Sequence, residues 1–278
     1  MVNRLAGETG FCGAGVNVKV ARAAPHFWEE PCLSGGNGSG TVFFSYCTMR
    51  CVYCQNALYG GGKGTEVTPE RLGQIFVSLQ EQKAHNINLV TPTHYIPQII
   101  GAIRRARNDG LSIPIVYNSG GYDTAESISL LDGYIDIYLP DFKYCDGCYA
   151  KKYSGVSDYF KYASESIGQM VKQAGPAVFD ADGIMQKGVI IRHLVLPGLT
   201  EDSKKVIGYL YGAFGDDVYI SIMNQYTPLE RVRKYPELNR TVGEAEYDLI
   251  VDYAISIGVG NGFIQEGGAA GESFIPDF

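Results

Sequence analysis

Three cysteines, Cys47, Cys51 and Cys54, have C-x3-C-x2-C spacing directly after the β-like run TVFFSY. Three thiolates can hold three irons of a cubane [4Fe–4S] cluster and leave the fourth iron without a protein ligand. Structural zinc normally takes four ligands, often from two cysteine pairs, and no second pair lies nearby. A disulfide would leave one clustered thiol unpaired. We therefore predict a [4Fe–4S] cluster with an open iron, with zinc or plain thiols as alternatives.

Polar side chains also follow several later apolar segments. Arg192 and His193 interrupt the apolar run 188–195, and burying Arg192 without a partner would be costly. An anionic ligand inside the fold would remove that cost. The other candidates have plainer alternatives as helix caps, tight turns or surface ion pairs. They are Thr91, Thr93, His94, Asn118, Ser119, Asp141, Lys143 and Gln225.

The segments that must position these residues alternate between strand-like and helix-like patterns from residue 41 onward. Such alternation predicts a parallel sheet with right-handed crossovers, and six units favour a partial (β/α)6 TIM-like barrel over a closed eight-stranded one. Function in such barrels collects where strands end. The predicted strands are 41–46, 87–91, 113–118, 134–139, 188–195, 218–222 and 262–266, and the predicted helices are 68–84, 96–109, 123–131, 158–174, 202–214 and 243–257.

The chain of 278 residues shows no linker or internal repeat, so we predict one barrel domain, 41–278, preceded by an extension, 1–40, packed on it. The stretch ARAAPHFWEE in that extension is compatible with a short helix. A turn-forming Asp-Gly at 182–183 predicts a small hairpin before the fifth strand.

Composition narrows the function classes. The net charge is −7 and basic residues are not clustered, which disfavours nucleic-acid binding. No apolar run approaches the ~20 residues of a membrane span, and the first residues lack the apolar region of a signal peptide. Seven cysteines in such a chain are typical of a reducing cytoplasm, and an oxygen-sensitive cluster favours an anaerobic setting.

The text GSGTVFFSYCTMRCVYCQN, with Tyr53 just before the last cysteine, resembles the signature of the radical S-adenosylmethionine (SAM) superfamily. It is most similar to the branch of proteins that resemble pyruvate formate-lyase activating enzyme. The resemblance implies the same partial barrel. It also implies that SAM chelates the open iron and that the reduced cluster cleaves SAM to methionine and a 5′-deoxyadenosyl radical, which abstracts hydrogen from a substrate.

The resemblance assigns expected roles to the candidate residues. The superfamily usually has a Gly-Gly-Glu turn for the SAM amino group where this chain has Thr91-Pro92-Thr93-His94. Asn118 and Ser119 correspond to contacts of the ribose or methionine part. The remaining expected SAM contacts are Tyr53 beside the cluster, Asp141 at the ribose, Lys143 and Arg192 at the carboxylate, and Gln225 on the adenine or substrate side.

The substrate is less constrained. Resemblance to activating enzymes implies a glycine of a glycyl radical enzyme, with flavodoxin or ferredoxin as the electron donor. A small molecule or a peptide is the alternative, and a non-catalytic iron–sulfur or zinc module is an alternative of another class. No catalytic nucleophile–base set is found. Four further cysteines fit an auxiliary cluster, a redox pair or incidental thiols: Cys12, Cys32, Cys145 and Cys148.

Overall fold

Parallel strands dominate the sheet at the centre of the computed structural model, which describes residues 3–265. Within that range the sheet has ten strands in the order β10-β9-β8-β6-β5-β4-β2-β1-β3, with β7 paired to β8. They are β1 (Val18–His26), β2 (Ser39–Phe44), β3 (Thr65–Val67), β4 (Ile87–Val90), β5 (Ile115–Ser119), β6 (Ile137–Pro140), β7 (Val178–Phe179), β8 (Met185–Leu194), β9 (Tyr219–Met223) and β10 (Gly262–Ile264).

Strands β2, β4, β5, β6, β8, β9 and β10 are parallel neighbours. Among the described strands, the edges β3 and β10 do not pair with each other, so the barrel is open. The predicted partial (β/α)6 barrel is confirmed. The predicted fifth strand, 188–195, lies in β8, and the start of β8 forms the predicted hairpin with β7, in which Gly183 takes the left-handed φ of 77°.

Helices cover the outside of the sheet. Thr68 begins one of them by accepting a hydrogen bond from the Arg71 amide at its Oγ1 (3.2 Å). Within residues 3–265, no helix is both long and apolar enough to cross a bilayer. The helices are α1 (Pro31–Ser34), α2 (Ala57–Gly60), α3 (Pro69–Glu81), α4 (Ile96–Asn108), α5 (Ala125–Ser129), α6 (Gly147–Ser154), α7 (Tyr159–Ala174), α8 (Thr200–Phe214) and α9 (Glu244–Ser256).

The N-terminal extension enters the sheet itself. Strand β1, in the stretch considered as a short helix, pairs antiparallel with β2, and His26 lies opposite Ser39 at the start of β2. The chain that follows therefore passes across the amino-terminal end of the parallel strands. We call residues 27–34 the floor segment.

The floor segment packs against this end of the barrel. Cys32 and Leu33 pack against Val116, Ile137 and Ile190 from the strands above. A buried side chain fixes the segment in place: Asn86 Nδ2 donates to the Leu33 carbonyl (2.8 Å), and its Oδ1 accepts from Ser39 Oγ (2.6 Å). The barrel interior above the floor segment contains the cavity of the candidate site.

Candidate active site

The interior holds a cavity of about 510 Å³ that extends from the floor segment to the loop after β2. Most predicted site residues border it, although they come from six different strand ends. They are Cys47, Cys51, Tyr53, Cys54, Thr91, Asn118, Ser119, Asp141, Lys143, Arg192 and Gln225. Thr93 and His94 are not part of its wall.

The cysteine loop leaves β2 through a strained residue and is supported by α6. Tyr46, just before Cys47, has a φ of 73°, which bulky residues rarely adopt. The Val52 amide donates to the carbonyl of Tyr153 in α6 (2.8 Å), and Ser154 Oγ donates to Cys51 Sγ (3.0 Å). Helix α6 therefore holds the cysteine loop in place. This helix is not among those predicted from the sequence.

The three half-buried thiols share one environment. Burial raises the pKa of Cys47 to about 12, and the neighbouring Cys51 and Cys54 add to the rise. Burial and Cys51 likewise raise the pKa of Cys54 to about 11, whereas the charge of Lys143 opposes the shift. Without a metal the Cys47 and Cys54 thiols therefore stay protonated, and a bound metal would have to displace their protons.

The thiols suit a cluster by number and type of donor. As the side chains stand, no three Cys, His, Asp or Glu residues within 3–265 are grouped to hold a single ion. Cys47 Sγ accepts from the Met49 amide (3.4 Å), while Cys51 Sγ turns toward Ser154. All three cysteines border the same cavity from one loop, so bringing their sulfurs onto a cluster requires rotation of the side chains.

Arg192 is paired with carboxylates of the protein itself, so its burial does not by itself require an anionic ligand. Its Nη1 donates to Glu29 Oε2 (3.0 Å), its Nε to Asp141 Oδ1 (3.0 Å) and its Nη2 to Asn118 Oδ1 (2.7 Å). Burial alone would lower the pKa of Arg192, but the adjacent Asp141 and Glu29 carboxylates raise it overall. Arg192 is therefore charged and paired with two carboxylates.

Asp141 connects Arg192 to a second buried cation. Lys143 Nζ lies 2.6 Å from Asp141 Oδ2. Burial acts to raise the pKa of Asp141, but Lys143 and Arg192 outweigh it and lower that pKa overall. The turn after β5 packs tightly here, because a Cβ on Gly121 would lie 2.1 Å from the Asp141 carbonyl oxygen. Glycine is required at that position.

The turn after β4 separates its residues. Thr91 borders the cavity and has a φ of 60°, which is unfavourable for a β-branched residue. His94 is buried behind the wall, with its Nε2 2.8 Å from the Ser45 carbonyl, and burial lowers its pKa to about 4. Thr93 Oγ1 accepts a long hydrogen bond from Tyr117 (3.5 Å). Thr93 and His94 therefore support the turn.

Two other predicted residues lie near the cysteine loop. Tyr53 Oη is 2.6 Å from Tyr144 Oη, which in turn is 2.9 Å from Ser154 Oγ. The carbonyl of Gln225 accepts from Gln55 Nε2 (3.2 Å), directly after the last cysteine. The loop is therefore tied to both α6 and the segment after β9.

Sequence reasoning missed the acidic pair Glu29 and Glu30, which line the cavity from the floor segment. Glu29 Oε1 accepts a hydrogen bond from Asn88 Nδ2 (3.0 Å), and Glu29 Oε2 accepts one from Arg192. Burial raises the pKa of both carboxyls. Two adjacent acids after the apolar pair Phe27-Trp28 were the available signal, but only the fold shows that they turn inward.

The remaining cysteines lie apart from the cavity wall. All seven are free thiols. Cys12 Sγ accepts from Arg4 Nη2 (3.4 Å), Cys32 packs in the floor, and Cys145 lies beside Asp202. Among residues 3–265 these thiols do not form a group that could hold a metal.

No protein-family model matches the chain. The uncharacterized protein MJ0674 of Methanocaldococcus jannaschii is 28% identical over 239 residues, which cover 82% of this chain and 64% of that protein. The chain therefore spans less than two thirds of this relative.

Solved structures share the fold. HydG, a maturase of the [FeFe]-hydrogenase, superposes with a TM-score of 0.55 at 16% identity, covering 81% of this chain and 50% of HydG. Streptococcus suis SuiB bound to its precursor peptide SuiA superposes with a TM-score of 0.53 at 14% identity, covering 80% of this chain and 47% of SuiB. Methylornithine synthase superposes with a TM-score of 0.52 at 13% identity, covering 77% of this chain and 62% of that protein. This chain spans about half the length of HydG and SuiB, and at these identities the likeness establishes the fold.

Proposed function

We propose that this chain, which has the partial-barrel fold of the radical SAM superfamily, binds a [4Fe–4S] cluster through Cys47, Cys51 and Cys54 and uses it to cleave SAM. When bound, the reduced cluster supplies an electron that splits SAM into methionine and a 5′-deoxyadenosyl radical, which takes hydrogen from a substrate. One observation carries the proposal: the three cysteines border the same buried cavity as the polar residues from the other strand ends.

The protein's own residues have separable tasks. The Cys47, Cys51 and Cys54 thiolates hold the cluster, and α6 holds their loop in place through Ser154. Lys143 supplies positive charge beside Cys47 and Cys54, which favours the ionised form of these two thiols and an anionic carboxylate nearby.

The other strand ends orient the ligand. Thr91 and Asn118 offer hydrogen-bonding groups from neighbouring strands, and Gln225 does so from the far side. Arg192 keeps the Asp141 carboxylate ionised and in position. The aromatic wall of Tyr53 and Tyr226, whose ring centroids are 6.3 Å apart, shields the interior from water.

The cluster assignment is tested by anaerobic reconstitution with iron and sulfide. We expect about four irons per chain and a brown protein. Cys51→Ala should lose the cluster, whereas Cys148→Ala, an exposed cysteine outside the cavity, should retain it. A zinc-containing, colourless protein, or a Cys51→Ala variant with full iron content, would contradict the assignment.

For the substrate we propose a glycine in a protein or peptide segment, with flavodoxin or ferredoxin as electron donor in an anaerobic cytoplasm. The support is an apolar rim at the cavity: Phe27, Trp28 and Ile264 border it and are 54%, 54% and 58% exposed. Exposed apolar surface of this kind suits a peptide segment better than a small polar metabolite. SuiB, which shares the fold, is seen bound to a precursor peptide.

Isotope transfer tests the substrate class. Cells grown with α-deuterated glycine would supply two fractions, soluble protein and small molecules, to the reconstituted protein with SAM and reductant. We expect deuterium in 5′-deoxyadenosine with the protein fraction. Transfer with the small-molecule fraction alone would favour the alternative, a small-molecule substrate.

A further inference from the structure

The floor of the cavity carries two carboxylates with very different surroundings. Glu29 is fully engaged: Oε2 accepts from Arg192, and Oε1 accepts from Asn88 (3.0 Å) and Asn118 (3.4 Å). Its role is therefore internal, because it balances the arginine and joins the floor segment to β4, β5 and β8.

Glu30 is not satisfied in the same way. It is 8% exposed and borders the cavity, and among the described residues its Oε2 is buried with no hydrogen-bond partner. Burial and the neighbouring Glu29 raise the pKa of Glu30, and they outweigh the opposing effects of the Arg192 charge, the Glu30 amide and Ser221. A buried carboxylate with an unmet oxygen costs stability, so its retention needs another reason.

The described ion pairs around the cavity do not include Glu30. Among the described residues that line the cavity, Arg192 and Lys143 are the cations. His26 also lines it, but burial lowers the pKa of His26 and so disfavours its charged form. Asp141 pairs with both cations and Glu29 pairs with Arg192, at 2.6 to 3.0 Å. Glu30 is the carboxylate left over after these pairs are formed.

We propose that Glu30 binds a cationic group of the substrate, a primary ammonium or a guanidinium of the kind found on lysine and arginine side chains. The proposal rests on the proposed function, because it takes this cavity as the substrate cavity. Cys54 and Glu30 border the cavity from opposite ends of the parallel strands. A substrate anchored at Glu30 therefore points away from the floor and toward the cysteine loop.

Calorimetric titration of the reconstituted protein tests this binding. The probes are the N-acetyl N-methylamides of lysine and arginine, and norleucine in the same form serves as the neutral control. We expect a cationic probe to bind about tenfold or more tightly than the norleucine compound. Glu30→Gln, which keeps the shape and removes the charge, should abolish that preference. Glu126→Gln, an exposed control, should leave it unchanged.

Equal binding of the cationic and neutral probes to the wild-type protein would overturn the proposal, and so would an unchanged preference in a folded Glu30→Gln variant. SAM cleavage is measured on the same samples without a probe. Failure of cation binding with intact cleavage would overturn this inference alone. Charge-selective binding without any cleavage would sustain the cation site and count against the proposed reaction.

Discussion

Arg192 depends on charges that come from distant parts of the chain. Replacing it with Met would leave Glu29 and Asp141 buried without their shared cation, since both lie 3.0 Å from its guanidinium. We expect the free energy of unfolding to fall by about 3–5 kcal/mol, measured by urea denaturation. Arg233→Met, at a surface pair whose side chains are 72% and 84% exposed, should change it by no more than about 0.5 kcal/mol. A similar small change at Arg192 would show that the buried network is not needed for stability.

Glu30 should make stability depend on pH. Burial raises its folded-state pKa above the unfolded value, so the folded protein holds this proton more tightly than the unfolded chain does. The contribution of this proton to the free energy of unfolding is complete below the unfolded-state pKa of about 4.3, and it is lost as the pH rises through the folded-state pKa. Glu30→Gln should therefore gain stability relative to wild type as the pH increases, in parallel chemical denaturation series. A difference that does not vary with pH would contradict this.

Single residues show where sequence reasoning succeeds and where it ends. The spacing of Cys47, Cys51 and Cys54 and the interrupted apolar run at Arg192 are local patterns, and the structure brings all four to one cavity. One partner of Arg192 is Glu29, 163 residues away in the chain, and no local pattern indicates that pairing. A buried charge predicts that a partner exists without identifying it.

At the scale of elements, the floor segment depends on one buried amide. Asn86→Ala removes the donor to the Leu33 carbonyl and the acceptor for Ser39 Oγ. Unsatisfied buried groups of this kind cost about 1–3 kcal/mol each. We expect faster amide hydrogen exchange across residues 27–34 and little change in α8, measured by mass spectrometry. Asn239→Ala, at an exposed position, is the control, and unchanged exchange in the Asn86 variant would show that packing alone holds the floor.

Elements with local signals were predicted well, and those fixed by distant contacts were not. Thr68 predicts the start of α3 because the cap and the helix are adjacent in sequence. The stretch that contains β1 is ambiguous by itself and becomes a strand because it pairs with both β2 and β3. Helix α6 had usable signals, with Asp146 Oδ1 accepting from the Cys148 amide (2.7 Å) and Gly155 at the left-handed φ of 78°. Those residues lie in and just beyond a Cys-x-x-Cys motif considered for metal binding.

At the scale of the whole molecule, the barrel should fold without its cluster. Its main hydrophobic core runs through β4, β5, α3, α4 and α7, well beyond the cysteine loop, and a chain of this size buries enough apolar surface for independent stability. Metal-free protein should keep its far-ultraviolet circular dichroism and a cooperative thermal transition. Its Tm should lie below that of the reconstituted form, because a ligand bound to the folded state stabilises it. A metal-free chain that is unfolded, as zinc fingers are, would contradict this view of the core.

The most direct test is the formation of 5′-deoxyadenosine. Reconstituted, fully reduced protein is incubated anaerobically with SAM, and the product is quantified by liquid chromatography and mass spectrometry beside Cys51→Ala and Cys148→Ala. We expect 5′-deoxyadenosine and methionine in equal amounts from the wild-type and Cys148→Ala proteins, and none above background from Cys51→Ala. Wild-type protein that carries a reduced cluster and forms no 5′-deoxyadenosine, or a Cys51→Ala variant that forms as much as wild type, would contradict the account.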